Sequence, residues 1–143
     1  MSIARTAATA FGLTAAAGLA VLAVAGPAAA AGSTSNYYVA VDQCPTVEQV
    51  CRTVPTVTID TTSGVVVEFT ANRNHCSDII AHIIVDGAEW GSAQVGPGQR
   101  DGSYYIPLTP GLHDIGVQAE GVTGGCNTGY LSAWGGNLRV ETD

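Results

Sequence analysis

From Thr56 onward apolar and polar residues alternate with a period of two, and no stretch keeps the 3.6-residue apolar period of a helix. Val57 and Ile59 alternate with Thr56, Thr58 and Asp60. After a Ser63-Gly64 turn, Val65, Val67 and Phe69 alternate with Val66, Glu68 and Thr70. The polar run Ala71-Asn-Arg-Asn-His-Cys76 breaks the pattern. Ile79-Ile-Ala-His-Ile-Ile-Val85 is then β-branched and apolar on both parities, which predicts a central strand. Asp86-Gly87 supplies a two-residue hairpin turn of type I′, whose positive φ angles Asp and Gly tolerate. Such a turn pairs Val85 with Ala88. Ile79, Ala81, Ile83, Val85, Ala88, Trp90 and Ser92 then share one face, and Trp90 is expected inside.

Gly96–Gly102 reads as a loop. Tyr104, Ile106 and Leu108 form the next inward face, with Tyr105 on the opposite parity. Pro107 has no N–H to give a ladder and marks an edge or a strand end. Thr109-Pro-Gly111 turns the chain into Leu112–Glu120, where Ile115, Val117 and Ala119 face in. A second Gly-rich loop, Gly121–Gly129, precedes closing strands at Tyr130–Trp134 and Asn137–Glu141. Residues 32–55 read as an extended lead-in with a strand at Tyr37–Val41, ahead of a β domain over residues 56–143. About seven or eight short strands separated by Gly and Pro predict an all-β fold, an antiparallel β-sandwich of jelly-roll type.

The opening of the chain belongs to a different class. Arg5 precedes an uncharged, Ala-rich run that ends Pro27-Ala-Ala-Ala-Ala31, the pattern of a secretory signal peptide over residues 1–31, cleaved after about Ala31. A retained membrane anchor is the competing reading, but the small-residue end favours removal. The expected location is therefore secreted, with no stable membrane insertion afterwards. Cleavage removes one of five basic residues, which stand against twelve acidic ones, and the chain contains no Lys. So acidic a chain repels phosphate, and Arg52, Arg73, Arg100 and Arg139 are too dispersed to form a nucleic-acid patch. Arg without Lys, beside abundant Ala and Gly, is the usage expected of a high-GC, actinobacterial-type genome.

Export sets the chemistry of Cys44, Cys51, Cys76 and Cys126, because thiols oxidise outside the cytosol. Three pairings are open. The favoured one joins Cys44 to Cys51 around a small loop, and Cys76 to Cys126 across loops that flank the central strands. By the chain-entropy relation the short ring contributes about 2.5 kcal/mol and the long one about 4. A zinc site is disfavoured by both spacing and oxidation.

The runs Val65-Val-Val-Glu-Phe-Thr70, Ile83-Ile-Val-Asp-Gly87 and Leu108-Thr-Pro-Gly-Leu-His-Asp-Ile-Gly-Val-Gln-Ala119 carry a resemblance. With Leu138-Arg-Val-Glu141 as closing strand, they are similar to small bacterial and phage jelly rolls of the tumour necrosis factor and complement globular-head fold. That resemblance covers about Val57 to Glu141. It implies ligand binding at the top or side of the domain and trimer formation, although two disulfides and the acidic charge depart from the usual pattern. A fold of this kind does not fix a function.

Candidate chemistry is sparse. No Gly-x-Ser-x-Gly elbow occurs, and Gly91-Ser92-Ala93 falls inside a predicted strand. His82 lies on the parity opposite Trp90, toward the outside of a sheet. His113, at a strand entrance, reads as a hydrogen-bonded structural histidine. Asp78 and His82, four apart in a strand, would stand roughly 13 Å from one another, too far to share a metal. Ile80, His82 and Ile84 form a face too apolar for water, so the lead-in or another subunit is expected to cover it. Tyr105, Tyr130 and Trp134 are the candidate ligand-binding residues, since planar rings with polar handles suit sugar faces or a protein partner. The alternative for Trp134 is a core plug.

The sequence thus predicts a secreted, non-catalytic β-sandwich binding module for cell-envelope carbohydrate or a protein ligand. It would use no cofactor and no metal, bind no nucleic acid, and be monomeric or a homo-oligomer. A small enzyme with a loop-borne site and a structural envelope protein are the alternatives.

Overall fold

Alternation places one side chain in two against a shared interior, and the described residues fold as nine antiparallel strands that form two sheets around it. The computed structural model describes residues 32–42, 53–126, 129–131 and 133–143. Its strands are β1 (Ser33–Val41), β2 (Thr56–Thr61), β3 (Gly64–Ala71), β4 (Ile79–Val85), β5 (Ala88–Val95), β6 (Tyr104–Pro107), β7 (Gly111–Gly121), β8 (Gly129–Tyr130) and β9 (Trp134–Thr142). One sheet has the order β1-β9-β3-β6. The other has the order β2-β7-β4-β5, with β8 paired to the far end of β7. Successive strands mostly change sheet, and β4–β5 is the tight hairpin. The predicted leader and the Cys44–Cys51 loop lie outside the described residues.

One core joins the sheets. Val65, Val67 and Phe69 of β3 and Leu138 and Val140 of β9 meet Ile79, Ala81 and Ile83 of β4 and Ile115, Val117 and Ala119 of β7. The central position predicted for Ile79–Val85 is realised, since β4 lies between β5 and β7. Asp86 and Gly87 have φ of 49° and 81°, the positive values that a type I′ turn requires. Cys76 and Cys126 form the predicted long bridge, with Cα atoms 6.1 Å apart, and tie the loop after β3 to the loop after β7.

Three expectations are corrected by the structure. Trp90 is not inside; it is 44% exposed. The hairpin begins as predicted with Val85 opposite Ala88, but Ile84 pairs with Glu89 and Ile83 with Gly91, so Trp90 is the extra residue of a β-bulge. Beyond the bulge the parity is reversed, and Val95 rather than Ser92 faces the core. Second, the lead-in is more than a lead-in. β1 pairs with β9 along its whole length, from Ser33 opposite Thr142 to Val41 opposite Trp134, and contributes Val39 and Val41 to the core. Third, the two predicted closing strands are instead a two-residue β8 and a β9 that runs unbroken from Trp134 through Gly135-Gly136.

On the outer face of β4, His82 and Ile84 are buried and Ile80 is partly buried. Val54, at the described end of the lead-in, packs over Gly116, the ladder partner of Ile84. Glu89, Glu120 and Tyr130 surround the buried His82.

Candidate functional site

Ala71–Cys76 leaves the end of β3 as a polar turn, and its side chains meet the end of β1 and the start of β9. The Gly135 carbonyl ties them together. It accepts the Asn72 backbone N–H at 3.0 Å and His75 Nε2 at 3.1 Å. Because a carbonyl only accepts, Nε2 carries a proton, and Nδ1 is left as the acceptor of the neutral ring.

Tyr38 stands on the outward parity of β1, opposite Asn137, and is 68% exposed. A Cβ on Gly135 would lie 2.6 Å from the Tyr38 hydroxyl oxygen and 2.8 Å from Asn72 Nδ2. Glycine at this position therefore lets the phenol settle against the β9 backbone while most of the ring stays in solvent. Asn72 Nδ2 donates to the Tyr38 oxygen at 2.9 Å, which fixes the ring from its polar end. Tyr38, Asp42, Asn72, Asn74, His75 and Trp134 line an open cleft of about 310 Å³, and Cys76 of the disulfide adjoins them. The arrangement offers an aromatic face, several acceptors and a carboxylate.

The three aromatic residues predicted as a platform are not brought together. Trp134 is buried at 6% exposure and meets Phe69 edge-on with centroids 6.0 Å apart, the core-plug alternative, although it also floors the cleft. Tyr105 is exposed on β6. Its ladder partner Val66 pairs with Glu141, seven residues along β9 from Trp134, a strand distance of roughly 23 Å. Tyr130 is on the other sheet, beside Glu120, with its ring tilted against His82 at 6.0 Å. The sequence alone does not mark Tyr38, Asn72, Asn74, His75 and Asp42 as a site, because they come from segments far apart in the chain. The one signal was the adjacent pair Tyr37-Tyr38, which alternation splits between core and solvent.

The other titratable clusters hold the fold. His82 Nδ1 lies 3.0 Å from Glu89 and its Nε2 3.4 Å from Glu120, on the outer face expected from its parity. His113 Nδ1 donates to Asp86 at 2.7 Å, and its Nε2 lies 2.9 Å from the Thr109 carbonyl, so it clamps the β4–β5 turn to the entrance of β7. The Asp86 hydrogen bond, helped by Thr109, holds this imidazole above its ordinary value, and the same contact holds Asp86 below the usual carboxylate range. Glu68 is buried on the outer face of β3, where Ser103 donates to one oxygen and Arg100 and Arg139 face the other. The Ser103 bond foremost, then the two guanidiniums, keep its carboxyl low despite burial. Beside it, burial pushes the Asp101 carboxyl up to about 6, although one oxygen accepts the Phe69 N–H at 2.8 Å. Among the described residues no three His, Cys, Asp or Glu side chains converge as a metal-binding group.

No protein-family model matches the sequence, and no curated protein matches it. Among solved structures the chain is similar to the VP2 subviral particle of infectious bursal disease virus, at 12% identity and a TM-score of 0.34. The match covers 78% of this chain and 32% of that one, so the chain spans about a third of the viral protein's length.

Proposed function

We propose that this chain is an exported, non-catalytic binding module of jelly-roll type that takes a saccharide in the cleft at Tyr38. The strand orders β1-β9-β3-β6 and β2-β7-β4-β5, with most successive strands changing sheet, support the jelly-roll reading. The leader-like residues 1–31 support export. The observation that carries the function is the Tyr38 ring: a large aromatic, 68% exposed, yet fixed by Gly135 beneath it and Asn72 at its oxygen. An ordered aromatic face in water costs little further entropy when a sugar's C–H face stacks on it, and the surrounding amides suit the hydroxyl rim. Holding rather than transforming the ligand is favoured by the lining itself. His75 is engaged through Nε2, Cys76 is in a disulfide, and among the described residues no Ser or Thr lines the cleft.

A glycan array with wild type and Tyr38→Ala tests this reading. Wild type is expected to be retained by at least one polysaccharide, and the variant to bind it about tenfold more weakly. Retention that is indifferent to Tyr38→Ala, or no retention of wild type on any glycan, contradicts it.

A further inference from the structure

We infer that the ligand of this cleft is a cationic saccharide, one that carries free amines, and that the cleft discriminates against neutral and anionic sugars. The inference rests on the saccharide reading above and concerns only the charge of the ligand.

The cleft offers a ligand a carboxylate and several acceptors, beside the donors of the Asn74 amide and the Tyr38 hydroxyl. Asn72 donates one amide N–H to Tyr38 and keeps its carbonyl Oδ1 as an acceptor for a ligand. His75 uses Nε2 on the Gly135 carbonyl, which leaves Nδ1, also an acceptor in the neutral ring. Asp42 is exposed at the rim and adds a carboxylate. Among the described residues no Arg lines the cleft, and the chain has no Lys. Arg73 stands between Asn72 and Asn74 in sequence, but its stem runs along Gly98 and it does not reach the lining. An ammonium group carries three donors and a positive charge that suit the Asp42 carboxylate and the neighbouring acceptors, whereas a sugar carboxylate would bring a like charge to Asp42. The exposed Tyr38 face adds a cation–π attraction for the same group. At longer range, twelve acidic residues against five basic ones steer cations toward the molecule and anions away.

The test is calorimetric titration of the full exported chain with three short oligosaccharides of matched length. These are glucosamine oligomers in buffer where the amine holds its proton, their N-acetylated counterparts, and oligogalacturonate. The glucosamine oligomer is expected to bind about tenfold more tightly than the N-acetylated one, with no binding of oligogalacturonate. Asp42→Asn should remove most of that preference. Tyr38→Ala, which leaves the charge unchanged, should weaken the glucosamine oligomer as well. Equal affinity for the neutral and cationic oligomers overturns the charge inference and leaves the saccharide reading standing. Tight binding of the cationic oligomer that survives Tyr38→Ala marks general attraction to an acidic surface and overturns it too. Binding of none of the three removes the inference together with the reading beneath it.

Discussion

Gly136 has the Phe69 ring where its Cβ would be, and the Thr70 carbonyl oxygen lies 2.5 Å from the same point. Phe69 is fully buried and meets Trp134 edge-on, so the ring has nowhere to retreat. Gly136→Ala is therefore expected to cost about 1–3 kcal/mol by overpacking, read as a lower urea midpoint with the slope unchanged. Gly135→Ala meets instead the movable ends of Tyr38 and Asn72, so it should disturb the cleft more than the stability. His113 gives a pH signature. Its folded pKa is raised above 6.5, so the stability it contributes is complete below pH 6.5 and is lost as pH rises through the higher folded value. Asp86, whose pKa is lowered from 3.8, contributes stability that is complete above pH 3.8 and lost as pH falls through its folded value. Wild type should thus lose stability on the alkaline side of 6.5, and His113→Gln should flatten that loss. Denaturation midpoints across the range check this; an unchanged slope in the variant would show that the clamp is not what titrates.

At the scale of strands, alternation was legible because burial enforces it. Val65, Val67 and Phe69, or Ile115, Val117 and Ala119, have a core side and a solvent side, and a slip of one residue would exchange them. The bulge at Trp90 was not legible. Its extra residue is absorbed at an edge strand with Glu89 and Gly91 around it, and nothing in that run distinguishes a bulge from continued pairing. The role of β1 was half legible: its alternation showed at Tyr37–Val41, but the pairing with β9 is a contact between the two ends of the described chain. Those ends now depend on one another. Deleting residues 33–41 would uncover the β9 edge and remove Val39 and Val41 from the core. The expected outcome is an aggregating chain without a cooperative melt; a shortened chain that melts cooperatively would show that β1 is dispensable. The cleft was the least legible feature, since Tyr38, Asn72 and Gly135 converge only once three strands are in register.

For the whole molecule, the Cys76–Cys126 bridge closes a separation of 50 residues between loops that flank β4 and β7. Replacing both cysteines with Ser should lower the unfolding free energy by about 4 kcal/mol, measured by urea denaturation; a change near zero would mean that the sheets alone already hold these loops. The bridge also adjoins the cleft through Cys76, so the same variant should bind ligand more weakly than its residual stability implies. The two sheets then act as a frame that holds Tyr38, Asn72 and His75 in fixed relation around the Gly135 carbonyl. The most direct test is an amide NMR titration of the chain with a glycan retained on the array. Shift changes that saturate and cluster at Tyr38, Asn72, Asn74, His75 and Gly135 are expected. Changes centred instead on the Trp90–Tyr104 side of the sandwich, or none at saturating glycan, would contradict the saccharide reading.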